Sequence, residues 1–190
     1  MEDKVRCYWC TSDPDYIAYH DTEWGQPCYD AQKLFEMLLL EGFQAGLSWI
    51  TILKKRERYR QVLFNFDPKK IAVMSDEYIE ILMQDKQIIR NRLKLQAARK
   101  NAQAWLRLDS PVSLIWSFVG GCPQVNHFKK HSEIPTMTKS SQEMSKALKK
   151  MGFSFVGPTI CYAYMQAIGM IIDHTTDCFM YQYCRNEVVV

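Results

Sequence analysis

The sequence predicts an all-α protein built as a bundle of short helices. Three observations carry this. Apolar residues recur at helical spacing while period-2 alternation is scarce. Helix-opening pairs, Asp-Pro or Ser-Pro, recur along the chain. No internal repeat or low-complexity linker interrupts the pattern.

The elements follow in order. Asp13-Pro14 is an N-cap followed by a proline at the first helical position, opening a short helix toward Trp24. Asp30 starts a second helix whose apolar face is Leu34, Phe35, Leu38 and Leu39, ended by Gly42 or Gly46. Ser48 starts a third, through Ile52, Tyr59 and Leu63. Asp67-Pro68 opens a short helix, and Ser75 caps a segment carrying Ile79, Leu82 and Met83. A long helix runs from Leu93 to Leu108, and Ser110-Pro111 opens the next. From Gly120 to Thr138 the spacing fails and a long loop is expected. Ser140 and Glu143 read as a capping box for a helix ending near Met151, and Pro158 opens the last strong helix, through Ile168. The expected organisation is a single domain over 1–184, either one unit or two helical lobes with a groove between them, with a flexible tail at 185–190.

Composition bounds the function. Hydrophobic residues are 47% and charged residues 24% of the 190, enough apolar material for a core without disulfide staples. Net charge is +3, which permits nucleic-acid binding without announcing it. The N-terminal stretch MEDKVRCYWC lacks an apolar signal core. The richest apolar run, Phe35 to Leu40, is interrupted by Glu36 and followed by Glu41. A cytoplasmic protein without a membrane span is expected. Seven cysteines, an odd number, then read as free thiols or metal ligands.

Three constellations carry chemistry. Cys7 and His20 are spaced C-x12-H, and His174 and Cys178 are spaced H-x3-C, which puts the second pair on one face if that segment is helical. Two thiolates and two imidazoles would make a closed, structural zinc site stapling distant segments. Cys7 with Cys10 is an alternative ligand pair, and four unrelated buried residues are the plain alternative. The second constellation runs from Lys149-Lys150 through Gly152 to Val156-Gly157-Pro158-Thr159. Backbone N–H groups of the turn and helix start could hold a phosphate, with the lysines adding charge and Thr159 a hydroxyl; an ordinary helix connection would look the same. The third is the aromatic stretch from Tyr16 to Trp24 together with Leu40 to Trp49. An aromatic cage with one carboxylate, Glu41, would suit a flat cation. The alternative is an exposed Glu41 beside core aromatics.

Taken together, the blocks Tyr16-Ile-Ala-Tyr-His-Asp, Glu23-Trp-Gly, Leu40-Glu-Gly, Gln44-Ala-Gly-Leu-Ser-Trp-Ile-Thr, Ile115-Trp-Ser-Phe-Val, Glu133-Ile-Pro-Thr and Phe155-Val-Gly resemble the DNA-3-methyladenine glycosylase I family of the helix-hairpin-helix glycosylase superfamily. The resemblance runs roughly from Arg6 to Cys178. It implies a helix-hairpin-helix bundle, with Cys7, His20, His174 and Cys178 as ligands of a structural Zn2+. It implies that Glu41 and Tyr19 hydrogen-bond the excised base, that Trp49 stacks on it, and that Tyr16, Trp9 and Trp24 line its pocket. Val156 and Gly157, with Thr159, Lys149 and Lys150, would hold the DNA backbone. The implied reaction is release of 3-methyladenine from flipped-out nucleotides of double-stranded alkylated DNA by a monomer, with a narrow range that leaves neutral lesions alone. Many relatives in the wider superfamily use an aspartate beyond the hairpin. The nearest candidate here, Asp173, adjoins His174 and is expected to cap a helix or support the zinc site. A zinc-stapled DNA-binding module, a glycosylase for another damaged base and a small-molecule N-glycosidase are the rival readings.

Overall fold

The structure, a computed structural model, describes residues 4–182; the tail expected at 185–190 lies outside the described residues. Its helices are α1 (Pro14–Thr22), α2 (Ala31–Gln44), α3 (Trp49–Leu53), α4 (Arg56–Val62), α5 (Pro68–Ala72), α6 (Asp76–Gln84), α7 (Arg92–Trp105), α8 (Pro111–Ser117), α9 (Lys139–Lys150) and α10 (Pro158–Ala167). The openings follow side-chain capping. Asp13, Asp30, Asp67, Ser75, Asn91 and Thr138 each accept a backbone N–H of the following turn, worth about 1 kcal/mol per cap.

Three expectations are corrected. The helix read from Ser48 to Leu63 is two helices, broken at Lys54-Lys55. There the N–H of Lys55 turns back to Ile52, and the Lys55 ammonium reaches the carbonyls of Lys86 and Gln87. The capping box of α9 is Thr138 with Ser141, two residues earlier than Ser140 with Glu143. The loop from 120 to 138 contains a short parallel ladder: Gln124–Val125 (β1) pairs with Ile171–Ile172 (β2). That ladder and the bond from Thr176 N–H to the Phe128 carbonyl tie the loop to the segment carrying Asp173 and His174.

The centre is α2. Every residue from Leu34 to Phe43 is buried, because α3, α7, α8 and α10 all pack on it. This wraps two acidic residues. Glu36 meets the Arg60 guanidinium at 2.8 Å, whereas Glu41 meets no cation. The C-terminal end of α2 is capped from outside. Lys94, buried on α7, donates to the carbonyls of Phe43 and Ala45 at 2.7 Å each, satisfying orphan carbonyls at the negative end of the helix dipole.

Candidate functional site

Residues from α1, α2, α3, α10 and the 131–136 loop surround a cavity of about 480 Å³. Tyr16 and Tyr19, three residues apart on α1, face it together. Trp9, from the segment before α1, packs edge-on against Tyr16 (5.3 Å) and Trp24 (5.0 Å). The Tyr19 and Trp49 rings lie 5.3 Å apart. Glu41 reaches the cavity from α2, and Trp49 opens α3 just after the left-handed Gly46 turns the chain. All six base-site residues expected from the sequence therefore share one cavity.

The polar groups of this cavity are unpaired in a specific way. Glu41 is 3% exposed, and its Oε2 has no hydrogen-bond partner; neither has the Trp49 indole N–H. Burial alone pushes the Glu41 carboxyl up to about 8. Burial, with a smaller contribution from Glu41, pushes the Tyr19 phenol well above its ordinary value, so it remains an O–H donor at neutral pH. A buried acceptor and a buried donor without partners cost on the order of 1–3 kcal/mol each. A ligand that is cationic, flat and able to donate to a carboxylate repairs that cost.

Sequence reasoning missed part of the wall. Gln44, His131, Tyr162 and Gln166 also face the cavity. Gln44 stands three positions after Glu41 on α2, inside a block already singled out, but carried no signal that set it apart; His131, Tyr162 and Gln166 come from segments far in sequence and are placed there by tertiary packing. Asp173 supports two of them. Its carboxylate, fully buried, accepts from the Tyr162 hydroxyl, from Gln166 Nε2 at 2.7 Å and from Asn126 Nδ2 at 2.7 Å. It is thus neither a helix cap nor a hydrogen-bond partner of the neighbouring Cys/His cluster.

That cluster sits directly behind the aromatic wall. One ligand atom from each of Cys7, His20, His174 and Cys178, all four residues buried, lies within 4.8 Å of the other three. Sulfur–nitrogen distances are 3.4 Å (Cys7–His174), 3.4 Å (Cys178–His20) and 3.6 Å (Cys178–His174). Bond lengths of about 2.3 Å to sulfur and 2.0–2.1 Å to nitrogen around a tetrahedral ion give edges of roughly 3.5 Å, so the donor set fits zinc. The far ring nitrogens are engaged as a metal site requires: His20 Nδ1 meets Asp21 at 2.8 Å and His174 Nε2 meets the Trp24 carbonyl at 3.2 Å. Cys10 stays outside, its Sγ directed at the Thr11 and Tyr16 carbonyls. His174 and Cys178 do not share a helix as expected. A turn closed by Cys178 N–H on the Thr175 carbonyl brings them together.

The α9–α10 connection reaches the cavity at Thr159. Lys149 and Lys150 are exposed at the end of α9, and Thr159 is exposed in the first turn of α10 on the cavity wall. Phe155 is left-handed (φ 57°). Among the described residues, the N–H groups of Phe155, Val156 and Gly157 meet no acceptor.

Residues 9–181 match the family described as methyladenine glycosylase. The chain is 55% identical over 180 residues to DNA-3-methyladenine glycosylase 1 of Escherichia coli (strain K12), covering 93% of this chain and 96% of that one. It is 51% identical over 178 residues to the DNA-3-methyladenine glycosylase of Haemophilus influenzae, covering 92% and 96%. Among solved structures, a crystal structure of 3-methyladenine DNA glycosylase I superposes with TM-score 0.91 at 54% identity, over 92% of this chain and 98% of that one. A variant of 3-methyladenine DNA glycosylase I in complex with 3-methyladenine superposes with TM-score 0.88 at 38% identity, over 92% and 96%.

Proposed function

The chain belongs to the methyladenine glycosylase family, and from that premise we propose that its aromatic cavity receives 3-methyladenine flipped out of alkylated duplex DNA and that Glu41 selects it. The enzyme is a DNA-3-methyladenine glycosylase, a hydrolase of the N-glycosyl bond. The observation that carries the site reading is the unpartnered Glu41 carboxyl in an aromatic cavity.

The chemistry follows from the charge of the substrate. In DNA, 3-methyladenine is cationic. As the bond to the sugar breaks, its electron pair goes to the base, which leaves neutral. The sugar becomes an oxocarbenium that takes hydroxide from water, releasing one proton and leaving an abasic site. The residues of this chain select the cationic base and orient it. In the empty cavity Glu41 holds its proton near neutral pH; beside a cation it ionises. Tyr19 donates to the base, Trp49 stacks on it, and Tyr16, Trp9 and Trp24 close the cage. Duplex DNA treated with a methylating agent, incubated with the protein and analysed for released bases by chromatography, tests this. Release of 3-methyladenine without hypoxanthine or 7-methylguanine is expected; efficient release of either of those contradicts a charge-and-shape pocket.

The α9–α10 connection reads as a helix-hairpin-helix clamp on a DNA phosphate, contacted by the Val156 and Gly157 backbone, Thr159 and the two lysines. Each of Lys149→Gln and Lys150→Gln is then expected to flatten the dependence of log affinity on log salt by roughly 0.9. An unchanged slope in both variants removes the lysines from the interface. Cys7, His20, His174 and Cys178 hold a zinc ion whose contribution is structural, because four protein ligands leave no open position. The core, continuous from Cys7 to Met180, supports reading 1–184 as one domain. No helix among the described residues is long and apolar enough to cross a membrane; we place the enzyme in the cytoplasm, acting as a monomer.

A further inference from the structure

We infer that Asn101 and Ser145 are positioning residues that aim the hairpin's N–H groups outward at a DNA phosphate. This rests on the reading of the α9–α10 connection as a backbone clamp. Asn101 is a buried residue of α7 with its side chain against the hairpin. Its Nδ2 donates to the Ser154 carbonyl at 3.0 Å, and its Oδ1 accepts the Ser154 N–H at 2.7 Å. Two-point contact fixes both the amide and the peptide it grips. Ser145, buried on α9, donates from its hydroxyl to the Val156 carbonyl at 2.6 Å.

These bonds determine where the neighbouring donors point. Peptides here are trans, and in a trans peptide the C=O and the following N–H point in opposite directions. With the Ser154 carbonyl turned toward Asn101, the Phe155 N–H points away from it. With the Val156 carbonyl turned toward Ser145, the Gly157 N–H points away as well. Phe155 between them is left-handed, a conformation that costs an L-residue on the order of 1 kcal/mol and persists only where its surroundings dictate it. The outcome is two N–H donors turned away from the gripped carbonyls, with no acceptor among the described residues, as an anion-binding turn requires. The hairpin is also seated against the base site: a Cβ on Gly42, the residue after Glu41, would lie 3.4 Å from the Phe155 Cβ.

The positioning role and mere structural support differ in what they leave intact. Affinity for undamaged duplex DNA would be measured at two salt concentrations for Asn101→Ala, Ser145→Ala and Gly157→Pro. Binding of free 3-methyladenine, followed by tryptophan fluorescence, reports the integrity of the cavity. Gly157→Pro deletes the outward N–H directly: Gly157 has φ −64° and ψ 160°, and nothing lies within 4 Å of a Cβ there. Asn101→Ala is expected to lose about tenfold in duplex affinity, equally at both salt concentrations because the lost contacts carry no charge, and to keep free-base affinity. Ser145→Ala follows in the same direction. If Gly157→Pro weakens DNA binding and the other two do not, the inference is wrong and the clamp stands. If none of the three weakens it, the clamp reading falls too. If free-base binding falls in parallel, Asn101 and Ser145 only support the fold, and the inference is overturned.

Discussion

Replacing Glu41 with glutamine is expected to slow release of 3-methyladenine from alkylated duplex DNA by about ten- to a hundredfold and, at the same time, to raise the thermal stability of the free protein. The loss follows from removing a charge-assisted hydrogen bond, worth about 1.5–3 kcal/mol, to a base that stays positive until its bond to the sugar breaks. The gain follows from the position of that carboxyl in the empty cavity. Its folded value lies near 8 against an ordinary 4.5, from burial alone. Below about pH 4.5 both states carry the proton and nothing is lost. Between 4.5 and 8 the unfolded chain releases the proton while the folded chain holds it, so stability falls as pH rises. The fall is complete above the folded value and amounts to on the order of 5 kcal/mol. Glutamine is neutral throughout and escapes it. The difference in melting temperature between variant and parent should therefore widen from pH 5 to pH 8. The parent's kcat/KM should rise with pH through about 8, reporting the free enzyme, while that of the variant stays flat. A pH-independent melting difference, or undiminished excision by the variant, would show that Glu41 is not the buried selecting group.

The same two acids show what the sequence can and cannot say. Glu36 interrupts an apolar run and Glu41 follows it, and nothing local says which of them meets a cation. The distinction is made by Arg60, 24 positions from Glu36 and held by α4; no local pattern encodes that meeting. Helix starts were legible because caps are local: Asp13, Asp30, Asp67 and Ser75 act on their own first turns. The break between α3 and α4 was not, because it depends on Lys55 reaching the Lys86 and Gln87 carbonyls across the fold. The cage aromatics were legible by density and the hairpin by its glycines. The wall contributed by His131, Tyr162 and Gln166, far from the cage residues in sequence, was not. Asp173 was misassigned because its partners Asn126, Tyr162 and Gln166 come from the loop and α10, and adjacency to His174 in sequence carried no contact. The choice of Cys7 over Cys10 rested on resemblance alone until geometry turned Cys10 toward backbone carbonyls.

Removing the metal is expected to lower the melting temperature by about 10 °C or more, since several kcal/mol translate to roughly 2–4 °C each in a chain of this size, and to abolish binding of the free base. Without an ion, two thiols and two imidazoles are left crowded together in a buried space, each short of its partner. The damage would not stay behind the wall. The His174 ring lies 4.6 Å from Trp24 and the His20 ring 5.3 Å from Trp9, so loosening the imidazoles loosens two sides of the cage. Metal content of the purified protein should be about one zinc per chain by elemental analysis. A chelator applied under mildly denaturing conditions should destabilise it, and zinc should restore it. A fully stable, active and metal-free chain would remove the site altogether. Substitution by cobalt separates a staple from a participant. A closed site supplies only shape, so a cobalt-loaded protein with the parent's melting temperature should excise 3-methyladenine at the parent's rate. A rate that changes with the metal while the melting temperature does not would place the ion in the reaction, against the four-ligand geometry.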